Sequence, residues 1–355
     1  MRTRPRLLTV LAASVVVVAA VAACSSPGPQ PQATATPSTA APTQAAEPGG
    51  SGVRAPLTGV EVADPSVLER PAVAVKVSDV RQAHPQVGVD RADLVLVEPI
   101  GASYTRLAAV FHSELPQRVG PVRSVRPMDA ALLSPLRPVF ANTMGAEWVL
   151  RYVEDTGDLE NLGSLTVHGT GAYPVDGDRP APDHVLVDPA RLLELAESTR
   201  PPAPYLEHAE DVAGATAVTD GQPARRLTVP YGAQWTVSWT WDDADGRYER
   251  SEPWGPHVTA DGDRVGAQNV VVLFVESRRE KLAAGSGQPV DVLQVVDASG
   301  ELLVLSGGSA VTGTWRKGAP GEPFELVTDD GGPVRLAPGR TWVEMPRPGA
   351  AVDVS

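Results

Sequence analysis

Apolar and polar positions fall into short blocks along most of the chain. Pro71 to Asp79 (PAVAVKVSD) alternates apolar with small or polar residues, the period-2 signature of a strand. Ala92 to Glu98 (ADLVLVE) is a short apolar run that suits a strand buried on both faces. Tyr104 to His112 (YTRLAAVFH) is a third strand candidate, although periodicity alone leaves a short helix open there. Pro127 to Leu136 reads as a helix with proline in its first turn, where a missing N–H costs least. Val139 to Met144 suits a strand, and Gly145 to Glu154 places Trp148, Val149, Tyr152 and Val153 at helical spacing. His184 to Asp188 reads as a short strand and Pro189 to Ser198 as an amphipathic helix. Strands alternating with helices over residues 56–200 predict an α/β (or α+β) domain.

The pattern then changes. Residues 201–229 are rich in Pro, Ala, Gly and acids and read as a linker. Beyond them Trp235, Val237, Trp239 and Trp241 share one face of a strand. Further strand candidates are Asn269–Val275, Val292–Val296, Glu301–Leu305, Val311–Trp315 and Thr341–Met345. Turn signals such as Asp245-Gly246 and Pro338-Gly339 separate them, so residues 230–350 are expected to form a mostly-β domain.

The N-terminal end changes the picture from a plain globular chain to an exported one. Arg2, Arg4 and Arg6 precede an uncharged apolar run from Leu7 to Ala22 that ends at Val21-Ala22-Ala23-Cys24. Residues 1–23 therefore read as a lipoprotein signal peptide, and Cys24 as the residue that carries the lipid. Cys24 is also the sole cysteine, which excludes an intrachain disulfide and a catalytic thiol elsewhere. A diacylglycerol thioether there would be a stable anchor, since two acyl chains hold where one does so marginally. Residues 24–55 have almost no large apolar side chain and are expected to be a disordered, proline-extended tether. The formal net charge is −13, and the signal segment holds three of the positive charges, so the exported part is more acidic still. That balance argues against nucleic acid as a partner.

Familiar catalytic signatures are missing. There is no GxxxxGK[ST] loop, GxSxG elbow, HExxH or SxxK, and the six histidines show no pair at helical or turn spacing suited to zinc. No metal site and no cofactor are expected, and the sequence does not announce an enzyme. The densest polar run is Gly120-Pro-Val-Arg-Ser-Val-Arg-Pro-Met-Asp129, which sets Arg123, Ser124 and Arg126 just before a helix start, with Asp129 in its first turn. Helix N-termini attract anions and guanidinium groups clamp phosphates or carboxylates, so this run, joined by Arg106, is a candidate anion site. The plainer alternative is that Arg123 and Arg126 pair with Asp93, Glu98 or Asp129 and hold the fold. A second cluster, Asp178-Arg-Pro-Ala-Pro-Asp-His184, offers Asp183 and His184 as a site edge on a loop. A histidine opening a strand is more often a structural group, and His257 in Gly255-Pro-His-Val has the same reading. The tryptophan stripe at 235, 239 and 241 is more often core than a sugar-stacking platform.

These residues carry a resemblance. Ala83-His-Pro-Gln-Val-Gly-Val-Asp-Arg-Ala-Asp93, Glu98, Thr105-Arg106, Phe111 and Gly120-Pro-Val-Arg-Ser-Val-Arg126 resemble the YerB-like family of bacterial lipoproteins. Gly255-Pro-His-Val, Asn269-Val-Val-Val, Thr314-Trp315 and Leu336-Ala-Pro-Gly-Arg-Thr-Trp342 resemble that family's second domain. The resemblance implies two linked domains of unknown function on a lipid anchor. It also implies an acidic-Gly-Gly run where this chain has Pro99-Ile-Gly-Ala-Ser-Tyr104, and Pro-His-Asn where it has Pro182-Asp183-His184. The first half is further similar to the LytR–CpsA–Psr phosphotransferases, whose arginines hold a lipid pyrophosphate.

Three functions follow as expectations. The first is a non-enzymatic lipoprotein on the extracytoplasmic face of the cell membrane, binding a cell-wall component or protein in a cleft between its domains. The second is a phosphotransferase or hydrolase-like enzyme holding a lipid-linked pyrophosphate at the arginines, with a divalent cation. The third is a scaffold for cell-wall synthesis proteins.

Overall fold

The computed structural model describes residues 52–101 and 104–355. The signal peptide, Cys24 and most of the expected tether lie outside the described residues. The tether's expected end at residue 55 is too late, because Ala55 is buried and donates its N–H to Val60 O at 2.8 Å.

The first half supplies β1 (Val73–Ser78), β2 (Leu94–Ile100), β3 (Tyr104–Phe111), β4 (Val139–Ala141) and β5 (Glu160–Asn161). Its helices are α1 (Met128–Leu133), α2 (Glu147–Thr156) and α3 (Pro189–Leu195). Pro189 opens α3 where the sequence pattern starts the helix, and Asp188, expected in a strand, caps it by accepting from Arg191 N at 3.1 Å. The third strand candidate is a strand, since its apolar residues extend the β1 and β2 ladders. His184–Asp188 is not a strand. It makes isolated bridges, Val185 with Val175 and Val187 with Val119.

The second half begins with α4 (Thr216–Asp220), β6 (Gln222–Pro223), β7 (Arg226–Gly232), β8 (Trp235–Asp242), β9 (Arg247–Glu252), β10 (Gly255–Pro256) and β11 (Gly266–Ala267). It continues through β12 (Asn269–Leu273), β13 (Ser277–Glu280), β14 (Val290–Leu293), β15 (Ala298–Ser306), β16 (Ser309–Lys317), β17 (Glu325–Thr328), β18 (Thr341–Glu344) and β19 (Asp353–Val354). The expected α/β first half and mostly-β second half are both present.

Among the described residues the main sheet has eleven strands in the order β17-β16-β15-β12-β18-β2-β3-β1-β4-β5, with β6 beside β16. Strands of the two halves join where β18 pairs β2 in parallel, Thr341 opposite Leu94 through Glu344 opposite Val97. The described residues thus form one compact unit. Residues 201–229 are structured rather than a loose connection. Tyr205 is buried and donates to Leu132 O at 3.0 Å, Ala209 N donates to Leu336 O at 2.8 Å, and the segment goes on into α4, β6 and β7. Its Pro and Gly content signals turns, and its few aromatic and aliphatic residues suffice to pin it.

The main sheet buries both faces. On one, Ala74, Leu96, Ala108 and Val110 pack with Met128 and Leu132 of α1 and Trp148 and Val149 of α2. On the other, Val75, Val97 and Leu107 pack against a six-stranded antiparallel sheet, β10-β9-β8-β7-β19 with β11, through Val229, Val237 and Trp239. Burial on both faces explains the unbroken apolar runs of β2 and β12, where one-sided strands such as β9 alternate.

Candidate functional site

Strand alternation sends Lys76, Glu98 and Arg106 to the helix-covered face, at the end where β1 and β2 finish and β3 begins. Arg106 stands between Ser78 and Glu98 in the ladders. The segment from Gly120 to Pro127 is laid against the end of β1: Ser78 N donates to Pro121 O at 2.9 Å, and Arg123 N to Lys76 O at 2.8 Å. It then turns into α1, and the Asp129 carboxylate accepts from Arg126 N at 2.6 Å. Arg106 Nη1 donates to Ser124 O at 3.0 Å, so the strand arginine meets the turn that carries the other two.

Lys76, Glu98 and Asp129 have no exposed side-chain surface, and the ammonium contacts both carboxyls, Asp129 at 2.7 Å. Burial, helped by the Asp129 charge, pushes the Glu98 carboxyl up to about 8 against the opposing pull of Lys76. Burial and the charges of Arg126 and Arg123 pull Arg106 down to about 10.

The simpler expectation, arginines paired with Asp93, Glu98 or Asp129, is not what the structure has. Asp93 accepts from His112 N at 2.6 Å and from Ser113, while Glu98 and Asp129 hold Lys76. Among the described residues Arg106 and Arg126 make no ion pair, and Arg126 Nη1 donates only to Val125 O at 3.0 Å. Arg123 Nε is 3.7 Å from Asp183 Oδ1, outside hydrogen-bond range, and neither atom has a hydrogen-bond partner. Arg106, Arg123, Ser124, Arg126, Asp129 and Asp183 are therefore gathered in one place. His184 follows Asp183 with its Nδ1 buried and unbonded, and it touches none of the arginines by a hydrogen bond or ion pair.

A second polar cluster lies behind the same strand ends, between the two sheets, and the sequence reasoning missed it. Arg250 on β9 is fully buried. Its guanidinium reaches Asp79 at 3.2 Å, Glu344 on β18 at 3.6 Å, and Glu252. It also sits 4.9 Å from the centre of the Trp342 ring. Glu344 accepts from Tyr231 Oη at 2.5 Å and Trp239 Nε1 at 2.9 Å, and Asp79 accepts from Thr105 Oγ1 at 2.5 Å. His257 lies between Arg250 Nη1, 3.1 Å from Nδ1, and Gln86 Oε1, 2.8 Å from Nε2. Burial lifts the Glu252 and Glu344 carboxyls, and burial beside Arg250 drives the His257 imidazole well below its usual range. One signal was readable: β9 (RYERSE) points Tyr248, Arg250 and Glu252 inward, charges where an apolar residue is expected.

Two of the three rings of the tryptophan stripe are core, and Trp241 is half-buried against them. Trp235 and Trp239 are buried, and Trp235 Nε1 donates to Thr105 Oγ1 at 3.0 Å, so these rings offer no sugar platform.

Comparison with known proteins agrees with this architecture. Residues 57–202 match the family described as "Protein of unknown function (DUF3048) N-terminal domain", and residues 227–343 match its C-terminal domain. A Bacillus subtilis (strain 168) protein named "Putative lipoprotein YerB" is 25% identical over 302 residues, spanning 82% of this chain and 86% of its own. The chain belongs to the YerB-like family. The crystal structure of YerB protein from Bacillus subtilis superposes with a TM-score of 0.73 at 22% identity, over 85% of this chain and 99% of the other, a likeness of fold.

Within this YerB-like fold, two concavities are lined by residues of both halves: one of about 340 Å³ where Pro99 and Gly101 face Tyr231, Glu276, Arg279 and Arg347, and one of about 320 Å³ where Thr58 and Asp93 face Gln268 and Arg340; Arg106, Arg123 and Arg126 line neither. Of the two departures from the family pattern, Ala102 and Ser103 in the first lie outside the described residues. The second puts the acidic Asp183 within 3.7 Å of Arg123.

Proposed function

We propose that this chain is an exported lipoprotein, held by Cys24 on the extracytoplasmic face of the membrane, whose folded part binds an anionic cell-envelope ligand. The ligand group is a phosphoryl, diphosphate or carboxylate, and Arg106, Arg123 and Arg126 are its receptors. The anchor reading rests on the arginine-led apolar segment that ends at Cys24 and on the name of the Bacillus relative. Among the described residues no helix is long and apolar enough to cross a membrane.

One observation carries the binding reading. Three guanidinium groups are brought together at a strand end and a helix entry, and among the described residues none is hydrogen-bonded to a carboxylate: Arg106 and Arg126 donate to backbone carbonyls, and Arg123 lies 3.7 Å from Asp183. Gathering like charges without carboxylate partners costs free energy, and an anion that accepts from them recovers it. The thermal transition of the full chain in detergent, titrated with pyrophosphate with and without magnesium, tests this. A ligand specific to the folded state adds about 2.7 kcal/mol at a hundredfold excess over Kd. The expected result is a saturable rise that Arg123→Ala/Arg126→Ala loses while keeping a cooperative transition. No rise, or an equal rise in the variant, removes the reading. Turnover of an envelope pyrophosphate substrate, abolished in the same variant, would make the site an enzyme's.

A further inference from the structure

We propose that the cavity at the carboxyl ends of β2, β12 and β18 binds a zwitterion of amino-acid or short-peptide size. Arg347 receives its carboxylate and Glu276 its ammonium. This is a second site, since Arg106, Arg123 and Arg126 lie outside the cavity.

Topology sets the place. β12 runs parallel to β18, and β18 parallel to β2, so the three strands finish at one edge of the main sheet. Those strand ends supply much of the lining: Pro99 and Gly101 from the end of β2, Val275 and Glu276 just after β12, and Arg347 just after β18. The carboxyl ends of parallel strands are where α/β sheets hold ligands, because the chain diverges there and leaves a crevice. Here the edge is also the seam at which the two halves pair.

The rest of the lining is held rigidly. Tyr231 donates from its hydroxyl to Glu344 at 2.5 Å and accepts from Met345 N at 3.0 Å. The hairpin β13–β14 contributes Arg279 and, opposite it in the ladder, Asp291. The tip of that hairpin is fastened to α2: Trp148 Nε1 donates to Gln288 O at 3.2 Å, and Ser286 N donates to Glu147 Oε2 at 3.0 Å. Glycines permit the approach. A Cβ on Gly285 would stand 2.9 Å from Trp148 N, and one on Gly287 would stand 2.6 Å from the Ala146 Cβ. The space of about 340 Å³ is thus preformed, at the small end of the range of about 300–1,000 Å³ usual for ligand sites.

Charge decides the ligand. Arg279 and Asp291 already face each other, at 4.0 Å. The Glu276 carboxylate and the Arg347 guanidinium are exposed and have no hydrogen-bond or ion-pair partner among the described residues. A simple anion is drawn to Arg347 but repelled by Glu276, and a simple cation the reverse. A molecule carrying one carboxylate and one ammonium satisfies both, with a charge-assisted hydrogen bond at each end. Pro99, Val275 and Tyr231 give small aliphatic side chains an apolar surface.

Isothermal titration of the full chain in detergent with alanine, dialanine and trialanine tests this and shows which length fits. One-to-one binding of at least one of them is expected, with a Kd of about 1 mM or tighter. The N-acetyl and C-terminal amide forms of that ligand each lack one charge. Each is expected to bind about ten- to a hundredfold more weakly, the loss of one hydrogen bond to a charged group. Glu276→Ala is expected to bind the zwitterion as weakly as wild type binds the acetylated form, and Arg347→Ala as weakly as wild type binds the amide. Both side chains are exposed, so both variants are expected to keep the wild-type Tm. No saturable binding of any of the three by wild type, equal binding of the blocked forms, or undiminished binding in a variant of wild-type Tm overturns the proposal. Where a variant loses Tm, the blocked ligands on wild type decide alone.

Discussion

Glu98 stands opposite Arg106 in the β2–β3 ladder, yet its carboxyl contacts Lys76 and lies near Asp129, all out of solvent. Two carboxyls share one ammonium, and burial raises the Glu98 carboxyl to about 8. An acid raised above its unfolded value near 4.5 contributes fully below that value, and its contribution is lost as pH climbs through about 8. Wild type is therefore expected to lose stability between pH 5 and 8, and Glu98→Gln, which has no proton to release, is expected to flatten that part of the profile. Tm against pH checks it, and parallel profiles would contradict the assignment. At this scale the sequence showed which arginines to watch, because Arg123, Ser124 and Arg126 are three neighbours before a helix. It did not show whom they pair with. That depends on Lys76, which sits 53 residues before Asp129 and takes the carboxyl that the arginines were expected to use.

At the scale of elements, β1, β2, β4, α1, α2 and α3 were legible because their apolar spacing matches the face each one buries. The His184–Asp188 stretch has a strand's composition but lies beside residues 119–122 and 175 as single bridges, so no ladder forms. Residues 201–229 failed in the opposite sense. Their composition is that of a linker, but Tyr205 fills a space between α1 and Phe324, 6.2 Å from that ring. Tyr205→Ala is expected to cost about 3–5 kcal/mol, the usual loss for a buried aromatic. Urea denaturation reads this directly, and a change within about 0.5 kcal/mol, as at surface positions, would restore the linker.

At the scale of the molecule, the chain order of strands and their order in the sheet part company. The central position of the main sheet is the parallel pair of β18 with β2, joined from opposite ends of the folded chain. Parting the halves would expose both strands' backbone groups and the apolar side chains on both sheet faces. Heating is therefore expected to give one cooperative transition, coincident by circular dichroism and tryptophan emission, with equal calorimetric and van't Hoff enthalpies. Two separated transitions, near-matching the 57–202 and 227–343 family segments, would show independent domains instead.

The sequence by itself carries the proposal of an export segment ending at Cys24, and it determined the α/β-then-β order, most strands and helices, and the arginine-bearing helix entry. These are local properties, written in spacing and composition within about ten residues. Only the tertiary structure decided that β18 enters the first half's sheet, that Lys76 rather than an arginine takes Glu98 and Asp129, and that Asp79, His84, Arg250, His257 and Glu344 share one buried cluster. Those pairings join residues as far apart in the chain as Leu94 and Thr341, and burial, which sets partners and protonation, exists only once the helices and the second sheet have closed over the main sheet.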